Sequence, residues 1–391
     1  MSRDRPLRII GTPGTMTKEI RLRAEADLGF PLKLEELDGL QLQRRAVTDP
    51  ASFDVIDHWS LTTELAWTAR AIQPIDLSQI ARWKDVLTLD STHHLLDELN
   101  VGKGVSPREI LFVQPDGLLG STPTRMVSMV PTLYHFDSFG YHPSLRDQLA
   151  ENEAESWGWL LDDRWRGRMA LTAHPPIGIV EMALAAEAKG MMRFEDIGNL
   201  TIEEIDALIG LLIEFRHRRH FRAFWYSSVQ SVALMQTGGV HIESMWPEAV
   251  QALYRDGVPV RYASPREGAR AWMMGLCISA RCKELQLERA YSFVNWWLSG
   301  WSGAHAVRHG IYATSASSAA KYLSDSEWLY WYEGKPAKSI IVDNWGRKVA
   351  DPGDVRSGGS HIERFKRVAV WNTFMNEYNY LIRRWRDFMT I

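Results

Sequence analysis

The sequence predicts an α/β protein in which mostly parallel sheets are flanked by helices. Segments typical of strands alternate with amphipathic helices from the N-terminus onward, which is the signature of this class. Hydrophobic residues make up 45% and charged residues 24% of the chain, as in a folded, soluble protein. The 391 residues are too many for one core but sufficient for two lobes of ordinary size.

The first α/β region begins with a strand, a glycine turn and a helix within residues 6–29 (PLRIIGTPGTMTKEIRLRAEADLG). A Ser/Thr-type cap precedes that helix. Strands are predicted next in LKLEEL (32–37) and FDVIDHW (53–59), with a helix between or after them. Ligands bind at the carboxyl ends of parallel strands, where GTPGT (11–15) and DHWS (57–60) would lie.

A second α/β region begins near Val130. The amphipathic stretch 200–221 predicts a helix capped at Thr201. The other predicted elements are a helix, turn and strand in 156–172, a helix in 178–189, a strand in 238–246, a helix in 247–257 and a strand in 258–265.

Charge and hydropathy exclude several classes of protein. The net charge is −3 with Lys and Arg spread along the chain, which argues against a nucleic-acid partner. The longest apolar runs, such as IGLLI (209–213), are too short to span a bilayer. The start, MSRDRPLRII, lacks the apolar segment of a secretory signal. Either the protein is cytoplasmic, or a signal was removed and Met1 was introduced for expression.

No motif requires a cofactor, a metal or catalysis. GTPGTMT (11–17) lacks the Walker lysine and the Rossmann glycine pattern, although its amides could bind an acid group at a helix start. HRRH (217–220) has a spacing that could bind a metal, but its arginines favour a solvated basic face. Cys277 and Cys282 are either two buried thiols or a short-loop disulfide.

Five segments in order carry a resemblance to a known family. They are VPTLYHFDSFGY (130–141), SWGWLLDDRWRGRMALT (156–172), GGVHIESMW (238–246), residues 257–299, which include PREGARAWMMGLCIS, and GIYATSASSAAKYL (310–323). Together they resemble the extracellular solute-binding proteins of the spermidine/putrescine type, which are periplasmic receptors of ABC importers. The resemblance extends from about Leu7 to about Leu323, and the last sixty residues or so match loosely.

The resemblance implies a two-lobed periplasmic-binding-protein fold of type II, with the ligand in the cleft between the lobes. Lobe 1 would comprise residues 1–134 and about 265–315, and lobe 2 residues 135–264 and about 316–391. The implied protein is a monomeric binding protein in the periplasm, without cofactor or catalytic residues, whose partners are a small-molecule ligand and a membrane permease. Its signal peptide would have been removed.

Three aromatic residues match ligand-contacting positions of that family: Trp246, Trp272 and Tyr312. Polyamine-binding relatives have an aspartate two residues after the tryptophan that Trp272 matches, whereas this chain has Met274. The segment after the GRMALT strand, AHPPIGIVEM, contains no carboxylate before Glu181. The resemblance therefore implies the receptor architecture but not the polyamine chemistry.

The remaining polar groups suit a small amine-containing ligand with at most one positive charge, either quaternary or zwitterionic. The complete set of predicted ligand contacts is Thr12, Thr15, His58, Trp59, Ser60, Asp137, His174, Glu243, Trp246, Trp272, Met274 and Tyr312. A structural role is the alternative for Asp137 and Glu243, and Asp57 is a third nearby carboxylate. Two alternative functions stay open: a genuine spermidine/putrescine receptor, and a cytosolic metal-dependent hydrolase that uses His58, Asp57, His174 and Asp137.

Overall fold

The structure is a computed structural model that describes residues 5–89, 94–96, 98–99, 101–372 and 374–391. The chain folds into two compact units. The first unit contains the described residues of Met1–Asn100, Ser106–His135 and Trp272–Ser324, and the second unit contains Val101–Val105, Phe136–Ala271 and the described residues of Asp325–Ile391.

The compact units and the predicted lobes differ at four places. Residues 265–271 belong to the second unit and residues 316–324 to the first, the reverse of the predicted assignment. The same holds for residues 101–105, which belong to the second unit, and for His135, which belongs to the first. The first difference has a physical reason, because residues 269–271 form strand pairs with residues 368–371 of the second unit. The lobe boundaries themselves stay a prediction, and residues 1–4, 90–93, 97, 100 and 373 lie outside the described residues.

The strands of the described chain are short apart from two. Their bounds are β1 Leu7–Gly11, β2 Leu32–Glu36, β3 Val55–Trp59, β4 Ile72–Gln73, β5 Ile75–Asp76, β6 Phe112–Val113, β7 Leu119–Gly120, β8 Met126–Val127, β9 Val130–Tyr141, β10 Met169–Thr172, β11 Phe221–Trp225, β12 Ile242–Met245, β13 Arg261–Tyr262, β14 Ala269–Ser279, β15 Tyr312–Ala313, β16 Ile341–Val342, β17 Lys348–Ala350 and β18 Val368–Trp371.

The helices follow the strands in the alternation that the sequence predicts. Their bounds are α1 Lys18–Leu28, α2 Gly39–Thr48, α3 Thr63–Thr68, α4 Pro175–Ala188, α5 Ile202–His217, α6 Ser228–Gln236, α7 Pro247–Arg255, α8 Glu284–Trp297, α9 Trp301–Val307, α10 Ala316–Ala319, α11 Asp325–Trp331, α12 His361–Lys366 and α13 Tyr378–Thr390. Within the described ranges, none of these helices has the length and apolar character needed to cross a membrane.

The sheet of the first unit has parallel strands at its centre. β1 pairs in parallel with both β2 and β3, and β14 pairs antiparallel with β3, with Met274 opposite Trp59. β15 pairs antiparallel with β9, with Tyr312 opposite Tyr134. A separate small antiparallel sheet has the order β5-β8-β6-β7. The predicted strand–helix succession of the first region is confirmed.

The sheet of the second unit also has a parallel centre. β10 pairs in parallel with β11 on one side and with β12 on the other, and β12 and β13 each pair antiparallel with β9. Helices α4, α5 and α13 cover this sheet with a core that includes Trp157, Trp165, Leu208 and Trp385. The sheets and helices together confirm the α/β class.

Two local predictions were wrong in extent or kind: residues 157–161 form a 3-10 helix, and β13 has only two residues. Three further features were not predicted, namely β11, α6 and the start of β14 at Ala269. The start of β14 is hard to see in the sequence because it contains an arginine, Arg270. In the fold Arg270 is buried and forms ion pairs with Asp137 and Glu181. In the predicted basic face 217–220, His220 is buried and hydrogen-bonds the Leu160 carbonyl at 2.8 Å.

Candidate functional site

Three parallel strands of the second unit end beside a group of aromatic side chains. The His174 imidazole stacks on the Trp246 indole, with ring centroids 5.7 Å apart and an angle of 29° between the rings. Trp225 meets Trp246 edge-on at 4.8 Å, and His174 Nε2 lies 3.0 Å from the Tyr226 carbonyl oxygen. We call these four residues the aromatic platform. It occupies the strand ends at which parallel sheets bind ligands.

The local sequence explains why the rings of His174 and Trp246 stack. Each residue is the N-cap of a helix whose first residue is a proline, Pro175 in α4 and Pro247 in α7. Proline has no N–H to satisfy at that position, and neither N-cap side chain bonds to its helix. Packing against neighbouring side chains, and not a capping hydrogen bond, therefore sets the orientation of both rings. Trp246 is partly accessible to solvent.

Asp137 of the second unit belongs to a buried ion cluster. Arg270 Nη2 donates to Asp137 Oδ2 at 2.7 Å, and Arg270 Nε donates to Glu181 Oε1 at 3.1 Å. Burial raises the pKa of Glu181 to about 7, a shift that Arg270 partly opposes. Arg270 thus pairs with two carboxyl groups in this unit, and the predicted ligand contact of Asp137 stays a prediction.

Glu243 is a buried residue of β12, three residues before Trp246. Its side chain is fully buried, and Oε1 accepts a hydrogen bond of 2.9 Å from the Ser231 hydroxyl. Burial raises the pKa of Glu243 well above its ordinary value, which favours the protonated form of the carboxyl. Burial and the bond to Ser231 are what the structural alternative for Glu243 expects, and its predicted ligand contact stays a prediction.

Glu248 is a carboxylate beside the platform that the sequence reasoning missed. It lies in the first turn of α7, two residues beyond Trp246, and is partly accessible. Burial raises the pKa of Glu248 to about 7, and the charge of Asp137 adds to the shift. Its position directly after a strand-end tryptophan is the signal that could have identified it.

Asp57 of the first unit is a buried carboxyl at the end of β3. The hydroxyls of Thr15 and Thr132 are its hydrogen-bonding neighbours, with Thr132 Oγ1 3.5 Å from Asp57 Oδ1. Burial raises the pKa of Asp57 to about 7 despite both hydroxyls. Near neutral pH the Asp57 carboxyl is therefore present both as a carboxylate, which can balance a positive charge, and as a neutral acid, which cannot.

The neighbouring residues His58 and Ser60 are also buried. The His58 ring contacts the Thr62 hydroxyl, and Nδ1 lies 3.0 Å from the Trp59 carbonyl oxygen. Burial lowers the pKa of His58 to about 4, so the imidazole is neutral at pH 7. Trp59 itself is partly accessible and lies against α2, where a Cβ on Gly39 would meet its ring at 2.2 Å.

The GTPGT turn satisfies part of its own hydrogen bonding. The amides of Thr15 and Met16 both donate to the Thr12 carbonyl oxygen at 3.1 Å, and the Thr15 hydroxyl donates to the same oxygen at 3.3 Å. Thr17 caps α1 through its side chain. Thr12 and Thr15 are buried, and these internal bonds leave fewer amides for an acid group than the sequence suggested.

Trp272 and Tyr312 meet in a second aromatic group, in the first unit. The His135 ring stacks on Tyr312 with centroids 5.8 Å apart and an angle of 23°, and it lies 6.4 Å from Trp272. The centroid of the Tyr134 ring also lies 5.8 Å from that of Tyr312. Tyr312 and His135 are buried, whereas Trp272 is partly accessible. Met274, two residues further along β14, is buried.

The family assignment follows from a sequence match that covers most of the chain. The sequence profile of the bacterial extracellular solute-binding proteins matches residues 37–329. The chain belongs to this family. The family is one of binding proteins, which agrees with a structure organised around strand-end aromatic groups. No curated protein matches this solute-binding protein in sequence.

Solved structures share the fold of this solute-binding protein over nearly its whole length. The spermidine/putrescine ABC transporter substrate-binding protein PotD from Streptococcus pneumoniae is 14% identical with a TM-score of 0.63, over 98% of this chain and 99% of that chain. The binding protein AgtB from Agrobacterium tumefaciens R10, in complex with agropinic acid, is 14% identical with a TM-score of 0.60, over 99% of both chains. The GABA receptor Atu4243 is 14% identical with a TM-score of 0.59, over 99% of this chain and 98% of that chain.

Within each unit, the structure brings some predicted contacts together and separates others. His174 and Trp246 stack in the second unit, and Thr15 and Asp57 lie together in the first. Asp137 and Glu243 are engaged by Arg270 and Ser231. Sequence reasoning missed His135, which alternates with Asp137 along β9; a polar residue inside an apolar strand was the available signal.

The hydrolase alternative requires clustered metal ligands. Among the described residues, no group of three or more His, Cys, Asp or Glu side chains could hold a metal ion. Cys277 and Cys282 are free, buried thiols, the first of the two alternatives for this pair.

Proposed function

We propose that this solute-binding protein is the receptor of an ABC importer and binds a small organic solute with at most one positive group. The solute is amine-containing and either quaternary or zwitterionic. Its relatives support the first part: one is a spermidine/putrescine ABC transporter substrate-binding protein, and two others are a complex with agropinic acid and a GABA receptor. In this proposal, the protein works outside the cytoplasm as a monomer, and its protein partner is the membrane permease.

The state of the carboxyl groups supports a single positive charge. A linear polyamine has at least two ammonium groups, and each needs a carboxylate or several acceptors when it is buried. Asp137 already neutralises Arg270, while burial raises the pKa values of Asp57 and Glu243. Leaving one ammonium unpaired costs several kcal/mol, which corresponds to roughly a thousandfold in affinity.

The aromatic platform supports the chemical nature of that charge. The accessible face of Trp246 suits a quaternary or monoalkyl ammonium through a cation–π contact. Glu248, in the turn that follows Trp246, is the carboxyl best placed in sequence to balance the charge. Because its pKa lies near 7, a bound cation would promote its ionisation at neutral pH.

Calorimetry with four defined solutes tests the proposal. Glycine betaine represents a quaternary zwitterion and GABA a primary-amine zwitterion, while putrescine and spermidine carry two and three amines. We expect at least one of the two zwitterions to bind and both polyamines to bind at least a hundredfold more weakly. Sub-micromolar binding of spermidine would overturn the charge assignment and favour the polyamine receptor.

Mass spectrometry of the solute that co-purifies with the protein gives an independent readout. The expected species is a single small molecule with one basic nitrogen. If the co-purifying solute is a linear polyamine, the proposal is contradicted, whatever the result of calorimetry.

A further inference from the structure

A small cavity in the second unit is separate from all the predicted ligand contacts. Its volume is about 30 Å³, and its polar lining includes Ser138, Ser264, Arg364 and Arg367. Successive side chains of a strand point to opposite faces, so Ser138 lies on the face of β9 opposite Asp137 and its ion cluster. None of the twelve predicted ligand contacts lines the cavity.

The two arginines donate to neutral oxygens around this cavity. Arg367 Nη1 donates to the Ser264 hydroxyl at 3.2 Å, and Nη2 donates to the Pro265 carbonyl at 2.7 Å. Arg364 donates to the carbonyls of Ser357 and Phe136, each at 3.2 Å. In the described part of the chain, no carboxylate forms an ion pair with Arg367. These neutral acceptors take one bond each from Nη1 and Nη2. Arg367 is exposed, so its positive charge is shared between solvent and the cavity.

Ser138 adds a buried donor to the same cavity. Its side chain is 2% exposed, and its Oγ makes no hydrogen bond to any described residue. The backbone amide of Ser138 is satisfied, because it donates to the Tyr262 hydroxyl at 2.8 Å. Buried hydroxyls are usually hydrogen-bonded, so an unpartnered one that lines a cavity indicates a missing partner there.

The acidic groups near the cavity are already occupied. Glu155 accepts a hydrogen bond of 2.6 Å from the Ser264 amide, but it also accepts one from the Tyr141 hydroxyl and pairs with Arg146 at 3.4 Å. Glu267 accepts from the Ser156 hydroxyl and the Trp157 amide. The cavity thus presents the guanidinium charge of Arg367 and the hydroxyl of Ser138, which has no hydrogen-bond partner among the described residues.

The backbone keeps Arg367 beside the cavity. Gly268 has φ of 100°, and a Cβ at that position would lie 2.2 Å from the Arg367 carbonyl oxygen. Glycine is therefore required for the turn 265–268 to approach residue 367 so closely. The Gly268 amide closes this turn by donating to the Pro265 carbonyl at 3.0 Å.

We propose that this cavity is a binding site for a small anion, either chloride or a single carboxylate group. An anion would accept from Ser138 Oγ and balance the guanidinium charge of Arg367. The volume exceeds the roughly 10–15 Å³ that one water molecule needs, but it is too small for a nucleotide or a sugar acid. The site is independent of the solute proposed above.

Thermal unfolding of the full chain at constant ionic strength tests the site. Sodium chloride or sodium acetate replaces sodium gluconate, whose anion is too large for the cavity. We expect Tm to rise saturably with chloride or with acetate. The larger rise shows whether the site prefers chloride or a carboxylate group. Because the Ser138 hydroxyl makes no hydrogen bond to the described residues, Ser138→Ala should leave Tm in gluconate unchanged while it weakens anion binding at least fivefold.

Two further variants distinguish this site from general salt effects. Arg367→Gln should weaken anion binding at least tenfold, whereas Lys366→Gln removes the neighbouring exposed charge and should leave binding unchanged. A bromide-soaked crystal should show one anion between Ser138 and Arg367. The proposal is overturned if no saturable rise occurs in the unmodified protein, if the rise persists in both Ser138→Ala and Arg367→Gln, or if the cavity holds water only.

Discussion

Arg270 Nη2 lies 2.7 Å from Asp137 Oδ2, and both side chains are almost completely buried, with 1% and 2% of their surfaces exposed. The pair joins β14 to β9 within the second unit. An aspartate that the sequence suggested as a ligand contact is thereby the counter-charge of a buried arginine. The counter-charge of Asp137 is thus supplied within the protein itself.

Replacing Arg270 should be costly because it leaves Asp137 buried without the charge of its arginine partner. Arg270→Met is expected to lower the free energy of unfolding in urea by about 3–5 kcal/mol, and adding Asp137→Asn should recover part of that loss. The matched control is Arg166→Met, since the Arg166–Asp163 pair is exposed and such pairs contribute at most about 1 kcal/mol. Equal losses in the two single variants would refute the assignment.

Removing the indole of Trp246 should weaken the solute identified by calorimetry. Trp246→Ala is expected to lower its affinity about tenfold or more, because a desolvated cation–π contact is worth about 1–2 kcal/mol. Trp345→Ala is the control, since Trp345 is 53% exposed and remote in sequence from the platform. An unchanged affinity in Trp246→Ala would exclude the platform from solute binding.

Met274→Asp should place a buried negative charge in the first unit, and that charge needs a cation as its partner. Met274 is 3% exposed, so an ionised aspartate there would be desolvated and Tm should fall. A primary amine that pairs with the new carboxylate should restore Tm and bind more tightly than to the unmodified protein. Met274→Asn supplies the uncharged control. If putrescine raises Tm equally in both variants, the amine is not pairing with the introduced charge.

Asp57 should make the protein less stable as pH rises. Burial raises its pKa in the folded protein to about 7, above the ordinary value of 3.8, so its contribution is full below about pH 4 and is lost as pH rises through 7. Asp57→Asn cannot ionise. Its stability relative to the unmodified protein should therefore increase by about 2 kcal/mol between pH 5 and pH 8.

Urea unfolding at those two pH values measures the difference for Asp57→Asn. Glu181 and Glu248 also have raised pKa values, but they titrate in both proteins. Their contributions to the pH dependence of stability therefore cancel in the comparison. Asp116→Asn, in an exposed turn, should show no such trend. If the stability of Asp57→Asn relative to the unmodified protein is the same at both pH values, as expected for Asp116→Asn, the pKa of Asp57 is not raised.

The two thiols should be protected in the folded protein. Burial raises the pKa of Cys277 above its ordinary range and that of Cys282 to about 12, so little thiolate is present at pH 8. Iodoacetamide is expected to modify neither residue until urea is added, and then both. Val229→Cys, at a position 79% exposed, should react at once in the folded state. Two cysteines that resist alkylation even in urea without reductant would indicate a disulfide.

The sequence by itself determined the features that depend on neighbours along the chain. The strand–helix alternation predicted the α/β class, and Thr201 predicted the start of α5, where it forms a capping box with Glu204. The strand-end positions of His174 and Trp246 were also predictable, because a strand followed by a proline-initiated helix places its junction residue at the sheet edge.

Only the tertiary structure decided the roles of the charged residues. Asp137 and Arg270 are 133 residues apart in sequence, and no local pattern pairs them. The raised pKa values of Asp57 and Glu248 arise from burial by distant segments, as does the unpartnered hydroxyl of Ser138. Periodicity and capping are local and can be predicted from sequence, whereas desolvation and charge pairing depend on which segments the fold brings together.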